Sequence, residues 1–179
     1  MAVRLSSGSR RNNHHAELRP TAARTLESVF GMLSDEIEDR RVLDLFSGVG
    51  SYGVMALRRG AAQAVFVDKS HESEKRMVRA IEKFHLEDRS VICREDVSHF
   101  LHKTERWLEP FEVIFADPPY ESFLPMRVIE EILDAGMLAH GGVLVYEHSR
   151  HHAPPEVPPL VLRKSRVFGE TTVSIWDQP

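Results

Sequence analysis

Apolar residues recur along this chain with two different periods, and the alternation between them is its main structural signal. Leu26, Val29, Phe30, Leu33 and Ile37 fall at helical spacing, as do Met77, Val78, Ile81 and Phe84, and again Met126, Ile129, Ile132, Leu133 and Met137. Between these stripes lie short apolar runs: the segment from Val42, Ala64–Val67, Ser90–Cys93, Phe111–Ala116 and, opened by Gly141-Gly142, Val143–Glu147. Runs of this length with little polar alternation predict strands buried on both faces. Leu160–Val167 and Thr171–Trp176, joined through Phe168-Gly169-Glu170, predict a closing hairpin. Repeated βα units ending in a hairpin predict a doubly wound α/β sheet, parallel except for one antiparallel strand.

Chemistry enters at the strand ends. Val42-Leu43-Asp44-Leu45-Phe46-Ser47-Gly48-Val49-Gly50-Ser51-Tyr52-Gly53 runs from a strand through a glycine turn into a helix predicted over Val54–Arg59. Gly48, Gly50 and Gly53 keep the G-x-G-x-x-G spacing that lets a ligand approach backbone at a helix N-terminus. Asp68 closes the next strand twenty residues after Gly48, the offset at which a carboxylate reaches a ribose diol. The set implies an adenosine-containing cofactor, either a nicotinamide dinucleotide or S-adenosylmethionine (SAM). Asp44 favours SAM: its carboxylate would repel a pyrophosphate but can hold the ammonium of a methionine moiety. Asp96, after the strand ending at Cys93, is placed to meet an adenine amine; it also reads as the N-cap of a helix carrying Val97, Phe100, Leu101, Thr104 and Leu108. Phe46, Ser47, Lys69 and Val97 flank these positions and complete the candidate cofactor set with Asp117.

Asp117-Pro118-Pro119-Tyr120 follows the strand Phe111–Ala116 directly. Two prolines fix φ and donate no N–H, so the carbonyls of Asp117 and Pro118 are held in place beside a carboxylate and an aromatic face. The loop suits a flat ring bearing an amine: carboxylate and carbonyl accept N–H bonds, and Tyr120 stacks on an unpaired base. A plain strand-to-turn exit is the alternative, since Asp-Pro is common there.

The chain has 179 residues, 42% hydrophobic and 28% charged, which fits one soluble globular domain. It has no apolar stretch long enough for a bilayer, and its start, Met1 to Ser7, lacks a signal-peptide core, so a cytoplasmic location is expected. The lone cysteine, Cys93, sits in a strand expected to be buried and forms no internal disulfide. The ten histidines match no zinc spacing, and no metal is assigned. The formal net charge is −4, yet residues 1–24 carry Arg4, Arg10, Arg11, Arg19 and Arg24 against Glu17 alone. Residues 1–18 are therefore expected to be a basic flexible arm ahead of one domain over 19–179. Such an arm either meets nucleic-acid phosphate or is a passive solvated tail.

Val42–Gly53, Asp68 and Asp117–Tyr120, together with Arg19-Pro20-Thr21 ahead of Arg24, Glu27 and Val29-Phe30, resemble the RsmD family of methyltransferases. The similarity runs from Arg19 into Arg166–Thr171; Leu26, Met55 and Ala80 depart from the family's usual pattern. The resemblance implies a Rossmann-like SAM-dependent methyltransferase fold with a mostly parallel seven-stranded sheet. It implies methylation of the exocyclic N2 of a guanine in small-subunit (16S) ribosomal RNA, with Asp117, Pro118, Pro119 and Tyr120 at the target amine. Arg10, Arg11, Arg19, Thr21, Arg24 and Tyr120 are then the RNA-facing candidates, and the expected partner is ribosomal RNA or an assembling small subunit met by a monomer. An adenine-N6 DNA methyltransferase would use the same clamp, and a non-catalytic SAM- or RNA-binding assembly factor would keep the same fold.

Overall fold

The computed structural model describes residues 20–103, 109–119 and 125–179, with no side-chain placement for residues 20, 21 and 125. Helix α1 (Pro20–Leu33) opens on a proline, which fits the first helical turn because its missing N–H would have no helical partner there. Then follow β1 (Arg41–Leu45), α2 (Ser51–Arg58), β2 (Gln63–Val67), α3 (His71–Lys83), β3 (Ser90–Cys93) and α4 (Val97–Leu101). The chain continues through β4 (Phe111–Ala116), α5 (Pro125–Asp134), β5 (Leu138–Ser149), β6 (Val161–Phe168) and β7 (Thr171–Asp177).

The seven strands form one sheet in the order β3-β2-β1-β4-β5-β7-β6. β1 pairs in parallel with β2 and β4, with Leu43 opposite Val65 and Ile114, and β4 pairs in parallel with β5. β7 alone runs against its neighbours, β5 and β6. The expected seven-stranded sheet with one antiparallel hairpin strand is what forms.

Period-two alternation sorts the strands between two cores. Val42, Phe66, Val113, Phe115, Val145 and Ile175 face α1, α2 and α3; Leu43, Val65, Ile114, Leu144 and Trp176 face α4 and α5. Both faces are covered, which is why the strands read as near-continuous apolar runs. Chain order reverses between β1 and β4, and open α/β sheets bind ligands at the carboxyl ends of strands at such a point.

The structure departs from the sequence expectations in several places. α1 ends at Leu33, with Ser34 at φ 44; Ile37 lies beyond it in a turn yet is buried. Val78 and Phe84 are the outward-facing members of the α3 stripe, at 38% and 36% exposure, whereas Met77 and Ile81 carry the core contact. Met126 is exposed on α5, and Met137 is buried just past its end. β3 is a sheet edge, so Cys93 is half-buried rather than buried. β5 starts at Leu138, not Val143, and its pairing with β4 jumps from Leu138 to Val143. A Cβ on Gly142 would lie 3.0 Å from the Glu112 carbonyl oxygen and 2.7 Å from that of Ala139, so the irregularity needs glycine. Thr104 and Leu108, expected to extend α4, lie outside the described residues. No helix among the described residues is long and apolar enough to cross a membrane.

Candidate active site

Asp44, Asp117 and Glu147 stand near the carboxyl ends of β1, β4 and β5, three neighbouring strands, and line one cavity of about 420 Å³. The glycine turn supplies the floor through Phe46, Ser47, Gly48 and Val49; α1 contributes Ala22, Thr25 and Leu26, and the β6–β7 hairpin contributes Phe168 and Thr171. Among the described residues, the lining holds no lysine, arginine or histidine.

Polar contacts fix the turn. The Ser47 hydroxyl donates to the Asp44 carbonyl at 2.5 Å and accepts from the Val67 N–H at 2.9 Å, tying the turn to β1 and β2. Asp44 is 2% exposed, and its Oδ2 accepts from the Gly53 N–H at 2.9 Å, locking β1 to the first turn of α2. Burial raises its pKa well above the usual carboxylate range, against the lowering effect of that N–H, and the charges of Asp117 and Asp68 push the same way as burial. Phe46 adopts φ 57, a conformation a bulky side chain rarely holds, so the chain bends immediately after β1 and the turn rises beside the cavity.

Asp68 accepts from the Gly48 N–H at 2.9 Å and the Ser70 N–H at 2.8 Å, so the acid at the β2 end braces the glycine turn across twenty residues of chain. Asp96 caps α4 through the Ser98 N–H at 3.0 Å and stands 3.8 Å from the exposed Lys69 ammonium. The helix-cap reading of Asp96 is realised, and its carboxylate remains exposed at the strand end, so it can also meet a ligand. Val97 is buried beneath it. Gly50 holds φ 78 at the head of α2.

Asp117 opens onto the cavity, while the protein crowds the carboxyl enough to raise its pKa to about 7, through burial first and the Glu147 charge second. Pro118 is buried and Pro119 exposed. The pKa of Glu147 is raised by burial, and the Tyr52 hydroxyl donates to its Oε1, which opposes the rise. Tyr52 stacks on Phe115, ring centroids 4.7 Å apart and planes 17° apart, so its hydroxyl is aimed from the α2 side across the cleft.

Of the sequence candidates, Asp44, Phe46, Ser47, Gly48 and Asp117 meet in the cavity. Gly50, Gly53, Asp68, Lys69, Asp96 and Val97 form the supporting strand-end rim. Arg24 is exposed on α1, and Thr21 belongs to the same helix. Arg10, Arg11, Arg19 and Tyr120 lie outside the described residues. Sequence reasoning missed Tyr52, Glu147 and Phe168. The available signals were an aromatic inside the glycine motif, an acid ending an apolar strand, and an aromatic at a hairpin turn.

A doubly wound sheet with one reversed strand, a glycine turn after β1 and Asp-Pro-Pro after β4 define a SAM-dependent methyltransferase. A family profile described as "Conserved hypothetical protein 95" matches residues 8–177. YlbH of Bacillus subtilis, named for rRNA methyltransferase activity, is 31% identical over 97% of this chain and 98% of its own length. Ribosomal RNA small subunit methyltransferase D of Escherichia coli is 26% identical over 90% of this chain and 80% of its length. The solved structure of the methyltransferase yhhF from Escherichia coli superposes with a TM-score of 0.81 at 26% identity, covering 90% of this chain and 87% of that one. The chain belongs to this family, the RsmD family of methyltransferases.

Proposed function

We propose that the chain transfers a methyl group from SAM to the exocyclic N2 of a guanine in small-subunit ribosomal RNA. The observation that carries the reading is the acidic lining of the cleft beside the glycine turn, which among the described residues includes no cation. Carboxylates crowded on one another around one cleft favour a cationic ligand over an anionic one. SAM, which carries an ammonium and a sulfonium, fits this donor set, and a dinucleotide pyrophosphate does not. When bound, SAM supplies a methyl group activated on positively charged sulfur. Asp44 and the glycine turn would hold its methionine end, Asp68 the ribose and Asp96 the adenine side.

At the target, Asp117 and the Pro118 carbonyl accept the N–H bonds of the guanine amine and turn its delocalised lone pair toward the methyl group. Those bonds strengthen as positive charge grows on nitrogen, so they act on the transition state more than on the bound base, and the proton that the methylated amine must shed passes afterwards to Asp117 or to water. Phe168, which lines the cavity, and the Tyr120 aromatic that the sequence offers fit the role of holding the base plane so that nitrogen, methyl carbon and sulfur align. The amine is sequestered in paired RNA, so the guanine is flipped out or already unpaired when it enters. The relatives named as ribosomal RNA methyltransferases support RNA as the substrate class. The same reading makes the protein a cytoplasmic monomer with residues 1–18 as its RNA-facing arm and 19–179 as the catalytic domain.

The test is to incubate the purified protein and labelled SAM with small ribosomal particles, naked ribosomal RNA and duplex DNA, then to digest each and identify the methylated nucleoside. N2-methylguanosine from a ribosomal substrate is expected; N6-methyladenosine, or no labelled nucleoside from any of the three, refutes it.

A further inference from the structure

Glu147 has no place in the methyl-transfer chemistry described so far, although it is positioned as carefully as Asp117. It extends from β5 into the same cavity and receives a hydrogen bond from Tyr52, a ring itself held against Phe115. The pairing of Ala116 with Tyr146 puts Asp117 and Glu147 at neighbouring positions of adjacent strands, about 4.8 Å apart along the sheet. Glu147 also lies on the far side of Asp117 from the glycine turn, since β4 separates β5 from β1. The cofactor turn therefore occupies one flank of Asp117, and Glu147 faces whatever enters on the other.

We propose that Glu147 reads the N1–H of the target guanine and so makes the site selective for guanine over bases that present a lone pair at that position. The inference rests on the guanine-N2 reading above. Guanine offers adjacent donors, N1–H and the N2 amine, to two neighbouring acceptor carboxylates. Adenine offers its amine beside an acceptor nitrogen, so its ring lone pair would face Glu147 with no proton between them. Among the described residues the donor seen at the Glu147 carboxylate is the Tyr52 hydroxyl, which approaches from the α2 side and leaves acceptor capacity for the base. A buried charged acceptor left without its donor costs enough to reject the wrong base strongly. The raised pKa of Glu147 agrees: its charge is poorly solvated and is stabilised by a donor from the ligand.

The experiment compares guanine with 2-aminopurine, which keeps the N2 amine but has a bare N1. Small-subunit RNA is built by splinted ligation with either base at the nucleotide that the wild type methylates, reconstituted into particles, and assayed in single turnovers. The wild type is expected to prefer guanine by about 10²-fold. Glu147→Leu combined with Tyr52→Phe, which leaves no orphaned hydroxyl, should bring the preference to within about threefold, mainly by slowing guanine. A merely structural role would slow both bases equally and keep the ratio. A wild type without preference, or a double variant that retains it, overturns the proposal. Failure of the guanine-N2 reading shows itself separately, as the absence of N2-methylguanosine from wild-type digests.

Discussion

Gly53→Ala tests whether the glycine turn is held by close packing of α2 on β2. A Cβ built at Gly53 would lie 2.3 Å from Cε1, 2.7 Å from Cζ and 3.0 Å from Cδ1 of Phe66, where carbon atoms normally approach no closer than about 3.5 Å. Phe66 is fully buried and the overlap runs along one edge of its ring, so neither a small rotation nor an outward swing relieves it. Overpacking of this kind costs about 1–3 kcal/mol, against which alanine in a helix gains up to about 1 kcal/mol over glycine. The expected net loss is about 1–2 kcal/mol, a fall of roughly 0.5–1 M in the urea midpoint. Displacement of α2 would also draw the Gly53 N–H away from Asp44, so SAM affinity measured by calorimetry should fall with stability. Gly31 on α1 is the control: a Cβ there meets nothing within 4 Å, and Gly31→Ala should stabilise by about 0.5–1 kcal/mol. Combining Gly53→Ala with Phe66→Leu should recover at least about 1 kcal/mol relative to the sum of the two single changes. Equal stability of Gly53→Ala and the wild type, or additivity in the double variant, refutes the packing argument.

Four further outcomes are expected. With Asp117 titrating near 7 and active as the anion, kcat/KM should climb between pH 6 and 8, and Glu147→Gln should move that limb to lower pH by removing a neighbouring negative charge; a flat profile removes Asp117 as the amine acceptor. Because the Asp117 carboxyl binds its proton more tightly folded than unfolded, stability without ligand should fall as pH rises from about 4 through 7, and Asp117→Asn should flatten part of that decline in denaturation curves. Asp68→Ala leaves the Gly48 and Ser70 N–H groups without their acceptor and should weaken SAM binding by about 1.5–3 kcal/mol in calorimetry, while unchanged affinity would mean that Asp68 serves the fold alone. Neutralising Arg10 and Arg11 together should lower RNA affinity and flatten its dependence on log salt without touching SAM binding; if both stay at wild-type values, the arm is passive.

The sequence was most informative where function depends on local backbone. Gly48, Gly50 and Gly53 announce a turn because their spacing is a property of consecutive residues, and Asp117-Pro118-Pro119 announces a stiff strand exit for the same reason. It was least informative where neighbours come from distant parts of the chain. Glu147 reads as the polar end of an apolar strand until Tyr52, 95 residues earlier, is seen to donate to it. Val78 and Phe84 satisfy the α3 stripe yet face outward, because the sheet edge at β3 leaves less surface for the helix to cover. Asp44 and Asp68 were legible as acids at strand ends. Their hydrogen bonds to Gly53 and Gly48 show that each also braces the turn, a part that spacing alone does not reveal.

The acidic cleft sets a condition on how the proposed RNA substrate can bind. Asp44, Asp117 and Glu147 would repel phosphates as firmly as they favour a cationic cofactor, so the backbone cannot follow the target base into the cavity. Only the neutral base enters, and the phosphates must be held at the rim by positive charge outside the lining. The described residues offer such charge beside the mouth: Arg24 is exposed on α1, and Arg166 of β6 reaches across to Ser28, one turn further along α1, at 3.3 Å. The Arg166 guanidinium also lies 5.5 Å over the ring of Phe168, which lines the cavity. A cation thus sits next to the aromatic proposed to face the flipped base. The overall negative charge of the chain is then compatible with an RNA substrate: on the proposed reading the acid is concentrated where the cofactor and a bare base would go, and Arg24 and Arg166 stand outside that lining, available to a passing backbone.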